Sequence, residues 1–133
     1  MTNDRDSRVE AAFQQLPELV ADDRNLLRRG AYLTVDFMVE IGAVPFYLSI
    51  AGGRLVALER GPKLMRPWTF AVRASVEAWS RFWQPMPEAG WHDLFALMKR
   101  GEARVEGDLH PFMANLQYVK DLLAAPRSVF KEN

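Results

Sequence analysis

Residues 33–41 alternate: Leu33, Val35, Phe37, Val39 and Ile41 are apolar, with Thr34, Asp36, Met38 and Glu40 between them. A period of two places the first set on one face of an extended strand, so any fold must bury one side of a sheet. Phe46 to Ala51 and Arg54 to Arg60 flank Gly52-Gly53, a dipeptide that accepts positive φ at both centres of a tight hairpin turn. Those two runs are predicted to pair antiparallel. Gly61 to Pro67, punctuated by Pro62, reads as a loop, and Trp68, Phe70 and Val72 alternate with Thr69, Ala71 and Arg73 as a fourth strand. A β-meander is therefore expected before the main helices, with a short fifth strand at Ala103 to Gly107.

Elsewhere the period is helical. Ser7-Arg8-Val9-Glu10 has the spacing of a capping box, followed by Ala12, Phe13 and Leu16. Glu18 to Arg29 is predicted as one helical piece ended by Gly30. Ser75 is placed to cap a helix bearing Val76, Trp79, Phe82 and Trp83, which Gln84-Pro85-Met86-Pro87 ends. Trp91, Leu94, Phe95 and Met98 recur at i, i+3, i+4 and i+7 in a helix that stops at Gly101. Pro111 suits the first turn of a last helix with Phe112, Leu116, Val119 and Leu123 inward, ending near Pro126. The order predicts an α+β fold: a mostly antiparallel five-stranded sheet with helices covering one face. No repeat or low-complexity linker divides it. The expectation is one domain over residues 6–126, with 1–5 and 127–133 as frayed ends.

Composition limits the chemistry. The 133 residues hold 17 Lys plus Arg against 17 Asp plus Glu and no Cys. No disulfide or Cys-based metal site can exist, and charge balance argues against nucleic acid as a partner. No apolar run of spanning length and no leader-like N-terminus occurs, so a cytoplasmic protein is expected. His92 and His110 stand outside any ligand-spaced cluster and read as surface or capping residues. No G-x-S-x-G elbow surrounds Ser75 or any other Ser, and Gly52-Gly53 lacks the following helix that would cradle a phosphate. Catalytic residues, metal ligands and cofactors are accordingly assigned to none. Asp36, Glu40, Glu59 and Arg73 fall opposite the apolar alternation, as a cross-strand charge lattice. Arg54, Arg60, Lys63 and Arg66 cluster at loops, where a solvated edge is the simpler reading than contact with a lipid head group.

Phe70-Ala71-Val72-Arg73-Ala74-Ser75-Val76-Glu77-Ala78-Trp79, then Phe95 to Asp108 with its Lys99-Arg100-Gly101 stop and Gly107-Asp108 close, then Leu116 downstream, form an ordered set. That set resembles the sterol carrier protein type 2 (SCP-2-like) family of lipid-binding domains, and with the Phe46 to Val56 hairpin the likeness covers residues 31–123. Glu102-Ala103 and His110-Pro111 depart from the family pattern, and Phe130-Lys131-Glu132-Asn133 is not the Ser-Lys-Leu address that some members carry. The resemblance implies non-enzymatic binding or transfer of a sterol, fatty acid or fatty acyl-CoA.

The residues themselves supply apolar stripes: Trp79, Phe82 and Trp83; Trp91, Phe95 and Met98; Phe112, Met113 and Leu116; with Phe37 on the sheet. Each alone is ordinary core. Together they are predicted to wall an apolar tunnel between sheet and helices, because so many flat rings and Met side chains over a thin sheet are hard to pack at interior density. Burial of lipid at about 0.8 kcal/mol per methylene needs no polar motif. Transient membrane contact and a homodimer are compatible with this reading. The alternative is an accessory or protein-interaction module whose apolar surface packs on a partner enzyme or a second copy. A small isomerase-like enzyme ranks last, since Asp36 and Glu40 point away from the apolar face.

Overall fold

The computed structural model describes residues 4–131. Five strands, β1 (Thr34–Ile41), β2 (Val44–Ala51), β3 (Arg54–Arg60), β4 (Phe70–Ala74) and β5 (Ala103–Gly107), form one sheet in the order β3-β2-β1-β4-β5. The helices are α1 (Asp4–Gln14), α2 (Leu16–Val20), α3 (Arg24–Arg29), α4 (Val76–Phe82), α5 (Leu94–Lys99), α6 (Leu109–Ala114) and α7 (Leu116–Ala124), followed by a 3₁₀ turn at Ala125–Ser128. The fold is α+β with a mostly antiparallel sheet: β1/β2, β2/β3 and β4/β5 are antiparallel, and β1/β4 is parallel.

The alternation acts as its period dictates. Val35, Phe37, Val39 and Ile41 are buried together with Phe46, Leu48, Ile50, Phe70 and Val72, and the helices cover that face. The opposite face carries the charge lattice, with Arg73 Nη1 to Glu40 Oε2 at 2.8 Å, Arg73 also paired with Glu106, and Arg66 paired with Glu59.

The meander does not form across all four strands. β4 pairs with β1, not with β3. Residues 61–69 cross the outer face, where Met38, Tyr47 and Ala71 form a second small buried cluster against Trp68. The Arg66 guanidinium lies 5.4 Å from the Tyr47 ring centre, and the Thr69 amide donates to the Asp36 carbonyl at 2.8 Å. A meander would leave that apolar cluster in water; the crossing removes it, and local periodicity carries no information about which strand is a neighbour.

Helix boundaries also move. α1 starts at Asp4, so Ser7 lies inside a helix, and Glu10 pairs with Arg60 at 2.8 Å instead of closing a capping box. The segment 18–29 is two helices, because Asp23 caps α3 by accepting from the Leu26 amide at 3.0 Å. Structure extends past both expected domain ends: Asp4 and Arg5 are helical, and residues 125–128 form the 3₁₀ turn before the buried Phe130. Of the ends expected to fray, residues 1–3 and 132–133 lie outside the described residues.

Candidate functional site

α4 organises the centre of the molecule. The Ser75 hydroxyl accepts from the Ala78 amide at 3.0 Å, which starts the helix at the expected residue and turns Ala78, Trp79 and Phe82 inward. Trp79 Nε1 donates to the Glu40 carbonyl at 3.0 Å, tying α4 to β1, and Trp83 Nε1 donates to the Leu123 carbonyl at 2.8 Å, tying it to α7. Both indoles are thereby buried with their one polar atom satisfied.

The rings then pack on one another. Phe13 meets Phe46 edge-on at 5.1 Å and stacks on Trp83 at 6.0 Å, and Trp83 lies 5.2 Å from Trp79, which touches Phe82 at 6.0 Å. On the far side Phe37 stacks on Phe70 at 4.7 Å, and Phe70 meets Phe112 at 5.5 Å. Phe37, Trp79, Phe82, Trp83 and Phe112 are each no more than 1% exposed. A tunnel wide enough for a methylene chain would also admit water and leave accessible surface on the rings lining it. These five have at most 1% each, so no such opening runs along their rings.

The other residues expected to line that tunnel are dispersed. Trp91 precedes α5, because Asp93 is the cap: its carboxylate accepts from the Phe95 amide at 2.9 Å. The helix therefore buries Leu94 and Leu97, leaving Phe95 half-buried and off the core. Met98 and Leu116 are half-buried against the core edge, whereas Met113 is 51% exposed. α6 and α7 meet at Asn115, which turns Tyr118, Val119, Leu122 and Leu123 inward. Burial works against ionisation of Asp93, but the Phe95 amide and Lys120, 3.0 Å away, outweigh it and hold the carboxyl below the usual carboxylate range.

Two open hollows flank Pro85 on the segment joining α4 to α5. One, about 570 Å³, is lined by Arg81, Gln84, Pro85, Met86, Glu88 and Trp91. The other, about 630 Å³, is lined by Pro85, Ala124, Ala125, Arg127, Ser128, Phe130 and Lys131. Phe130 is 4% exposed, lines this second hollow, and its ring centre lies 6.3 Å from that of Trp83 in the aromatic core. Arg127 holds the tail in place: Nε and Nη2 donate to the Phe82 carbonyl at 3.0 and 2.6 Å, and Nη2 to the His92 carbonyl at 3.3 Å. Burial pushes the Arg127 guanidinium below its usual value.

These residues escaped the periodicity argument. Phe130 and Arg127 stand in a seven-residue tail without repeat, and the basic residues that line these two hollows are Arg81, Arg127 and Lys131, not the expected loop cluster. In that cluster Arg60 and Arg66 are ion-paired. The one available signal was Trp91 beside a basic helix end, Lys99-Arg100. His92 is exposed, and the His110 amide donates to the Asp108 carboxylate at 3.1 Å, where Asp108 caps α6. Among the described residues no group of three His, Asp or Glu side chains is placed to hold a metal, and no helix is long and apolar enough to cross a membrane.

No protein-family model matches the sequence, and no curated protein matches it significantly. Solved structures do match. A crystal structure of sterol carrier protein 2 superposes with a TM-score of 0.70 at 12% identity, covering 90% of this chain and 95% of that one. A ubiquinone synthesis protein, UbiJ-SCP2, gives 0.56 at 15% identity over 89% and 94%. The sterol carrier protein domain 2 of Helicoverpa armigera gives 0.56 at 12% identity over 92% and 93%. The chain has the SCP-2-like fold, as the ordered motifs of residues 70–123 implied.

Proposed function

With the SCP-2-like fold as premise, we propose that the protein is a non-catalytic binder of an apolar lipid-type ligand, a sterol, fatty acid or fatty acyl-CoA. The ligand enters at the hollow beside Phe130 and not through a standing tunnel. The observation that carries this is the thin lid: one side chain, near the end of the chain, separates a hollow of about 630 Å³ from the Trp83 indole. That volume lies in the range of small-molecule pockets, roughly 300–1,000 Å³. A chain of a dozen methylenes gains about 10 kcal/mol of burial before ordering losses, against roughly 2–3 kcal/mol to expose one Phe. Lifting Phe130 is thus affordable. A cytoplasmic location, membrane contact during ligand exchange and self-association belong to the same proposal.

The test is uptake of a fluorescent fatty acid, followed by energy transfer from tryptophan. Micromolar binding with a changed Trp83 environment is expected. Failure of folded protein to take up any lipid class removes the reading. A specific observation favours the accessory-module alternative: Leu64 and Met65 stand adjacent in the 61–69 crossing, 95% and 90% exposed, over a closed core. Loss of partner capture on Leu64→Ser/Met65→Ser, with no lipid binding by the parent protein, would select that alternative.

A further inference from the structure

The crossing segment 61–69 is pinned at both ends and bare at its middle. The Gly61 amide donates to the Pro45 carbonyl at 2.8 Å and the Thr69 amide to the Asp36 carbonyl at 2.8 Å, while Arg66 is paired with Glu59 and lies over the Tyr47 ring. Between these anchors the Arg66 amide donates to the Lys63 carbonyl at 3.4 Å, closing a β-turn whose two central residues are Leu64 and Met65. Met65 has φ +57°, a sign that the third position of such a turn usually reserves for Gly or Asn. Among the described residues it is the one non-glycine with positive φ. A solvated turn favours Gly and short polar side chains; this one holds Leu and Met instead, each at least nine-tenths exposed.

What covers the pair follows from its size and its neighbours. A stable protein interface draws about 20–30 residues from each side, far more than two side chains on a narrow turn provide. A lipid surface needs no matched partner face, and a convex apolar tip that enters the head-group layer gains burial for each side chain it inserts. Charge agrees with this. Of the nearby cations, Arg60 and Arg66 are paired with Glu10 and Glu59, whereas Lys63, next to the tip, is exposed, and among the described residues no carboxylate lies within ion-pair distance of it. One free ammonium at the base of an apolar tip complements an anionic bilayer. We infer that the Leu64–Met65 turn is the element by which the protein docks on an anionic lipid surface, with Lys63 at the head groups. In bringing the protein to a source of ligand the assignment rests on the lipid-binding reading above; the docking contact itself does not.

Flotation with vesicles of phosphatidylcholine and of an equimolar phosphatidylcholine–phosphatidylserine mixture tests it. The protein is expected to float with the mixed vesicles and more weakly with the neutral ones. Leu64→Ser/Met65→Ser should weaken binding to both by about tenfold or more, and Lys63→Gln should weaken binding to the mixed vesicles alone by about fivefold, the effect of one basic side chain at a charged bilayer. These changes fall on exposed side chains, so fatty-acid uptake from solution should stay at the parent level. Because the chain has no Cys, Leu64→Cys and Tyr32→Cys, both at exposed turn positions, can each carry one environment-sensitive fluorophore. Mixed vesicles should shift the emission of the first to the blue and leave the second unchanged, a comparison that stands even where the double serine variant does not fold. No flotation of the parent, a double variant that floats as well as the parent, or equal shifts at both labels overturns the docking tip and leaves the lipid reading standing. Self-association or partner capture that depends on Leu64 and Met65, without flotation, overturns it in favour of a protein contact. Flotation through the tip by a protein that takes up no lipid upholds the tip and removes the lipid-binding reading.

Discussion

Tyr118→Phe removes one hydroxyl at a point where three elements meet. Tyr118, on α7, is 2% exposed, and its hydroxyl donates to the Gly53 carbonyl in the β2–β3 turn at 2.6 Å. Its ring lies so close to Gly30, after α3, that a Cβ there would come within 2.5 Å of it. Phe keeps the ring, so no cavity opens. What is lost is a buried hydrogen bond, and the Gly53 carbonyl is left unpaired, together about 1–3 kcal/mol. Burial also pushes the Tyr118 phenol from 10.0 up to about 12. With the folded value raised, the unfolded chain loses this proton first as pH rises. The stabilising contribution is therefore complete below pH 10 and declines between pH 10 and 12, by about 2–3 kcal/mol at about 1.4 kcal/mol per pH unit. The two effects oppose each other in alkali. Tyr118→Phe should be less stable than the parent by about 1–3 kcal/mol at pH 8, and the deficit should close by pH 12 because only the parent has the phenol to ionise. Urea unfolding across pH 8–11.5 measures the first quantity, and the phenolate absorbance difference between the two proteins isolates the second. Parallel stability profiles over the whole window would refute the reasoning, as would a Tyr118 phenolate appearing near pH 10.

The remaining expectations use other parts of the fold. Gly53 has φ +82°, and a Cβ on it would lie 2.7 Å from the Gly30 backbone, so Gly53→Ala should lower the urea midpoint far more than Gly101→Ala, at φ +78° with nothing within 4 Å. The latter carries only the left-handed penalty, about 1–2 kcal/mol. Ser75→Ala removes the cap of α4 and should lose about 1 kcal/mol in thermal unfolding, most of it recovered by Ser75→Asp. Phe130→Ala should expose Trp83 to acrylamide quenching and speed fatty-acid uptake, with a stability loss of about 3–5 kcal/mol. Unchanged uptake in that variant would remove Phe130 as the lid.

Ser75, placed before an apolar run, could be read as a cap without coordinates, because capping and periodicity are properties of neighbours in sequence. For the same reason the alternation from Leu33 to Ile41 told which face of β1 is buried, and Gly52-Gly53 told where the hairpin turns. The motifs of residues 70–123 carried the fold class. Strand neighbours were not legible: β4 lies beside β1 because residues 61–69 cover Met38, Tyr47 and Ala71, a contact among segments far apart in the chain. Nor was the state of the aromatic stripes legible. Periodicity assigns a ring to a face, but whether Trp79, Trp83 and Phe13 interlock or line a hollow depends on their mutual distances, which interior packing decides. Phe130 and Trp91 come from a tail and an irregular connection, where no period exists to read. There the tertiary structure alone determined what meets what, because a contact between distant segments is set by the whole packed core and not by any local rule.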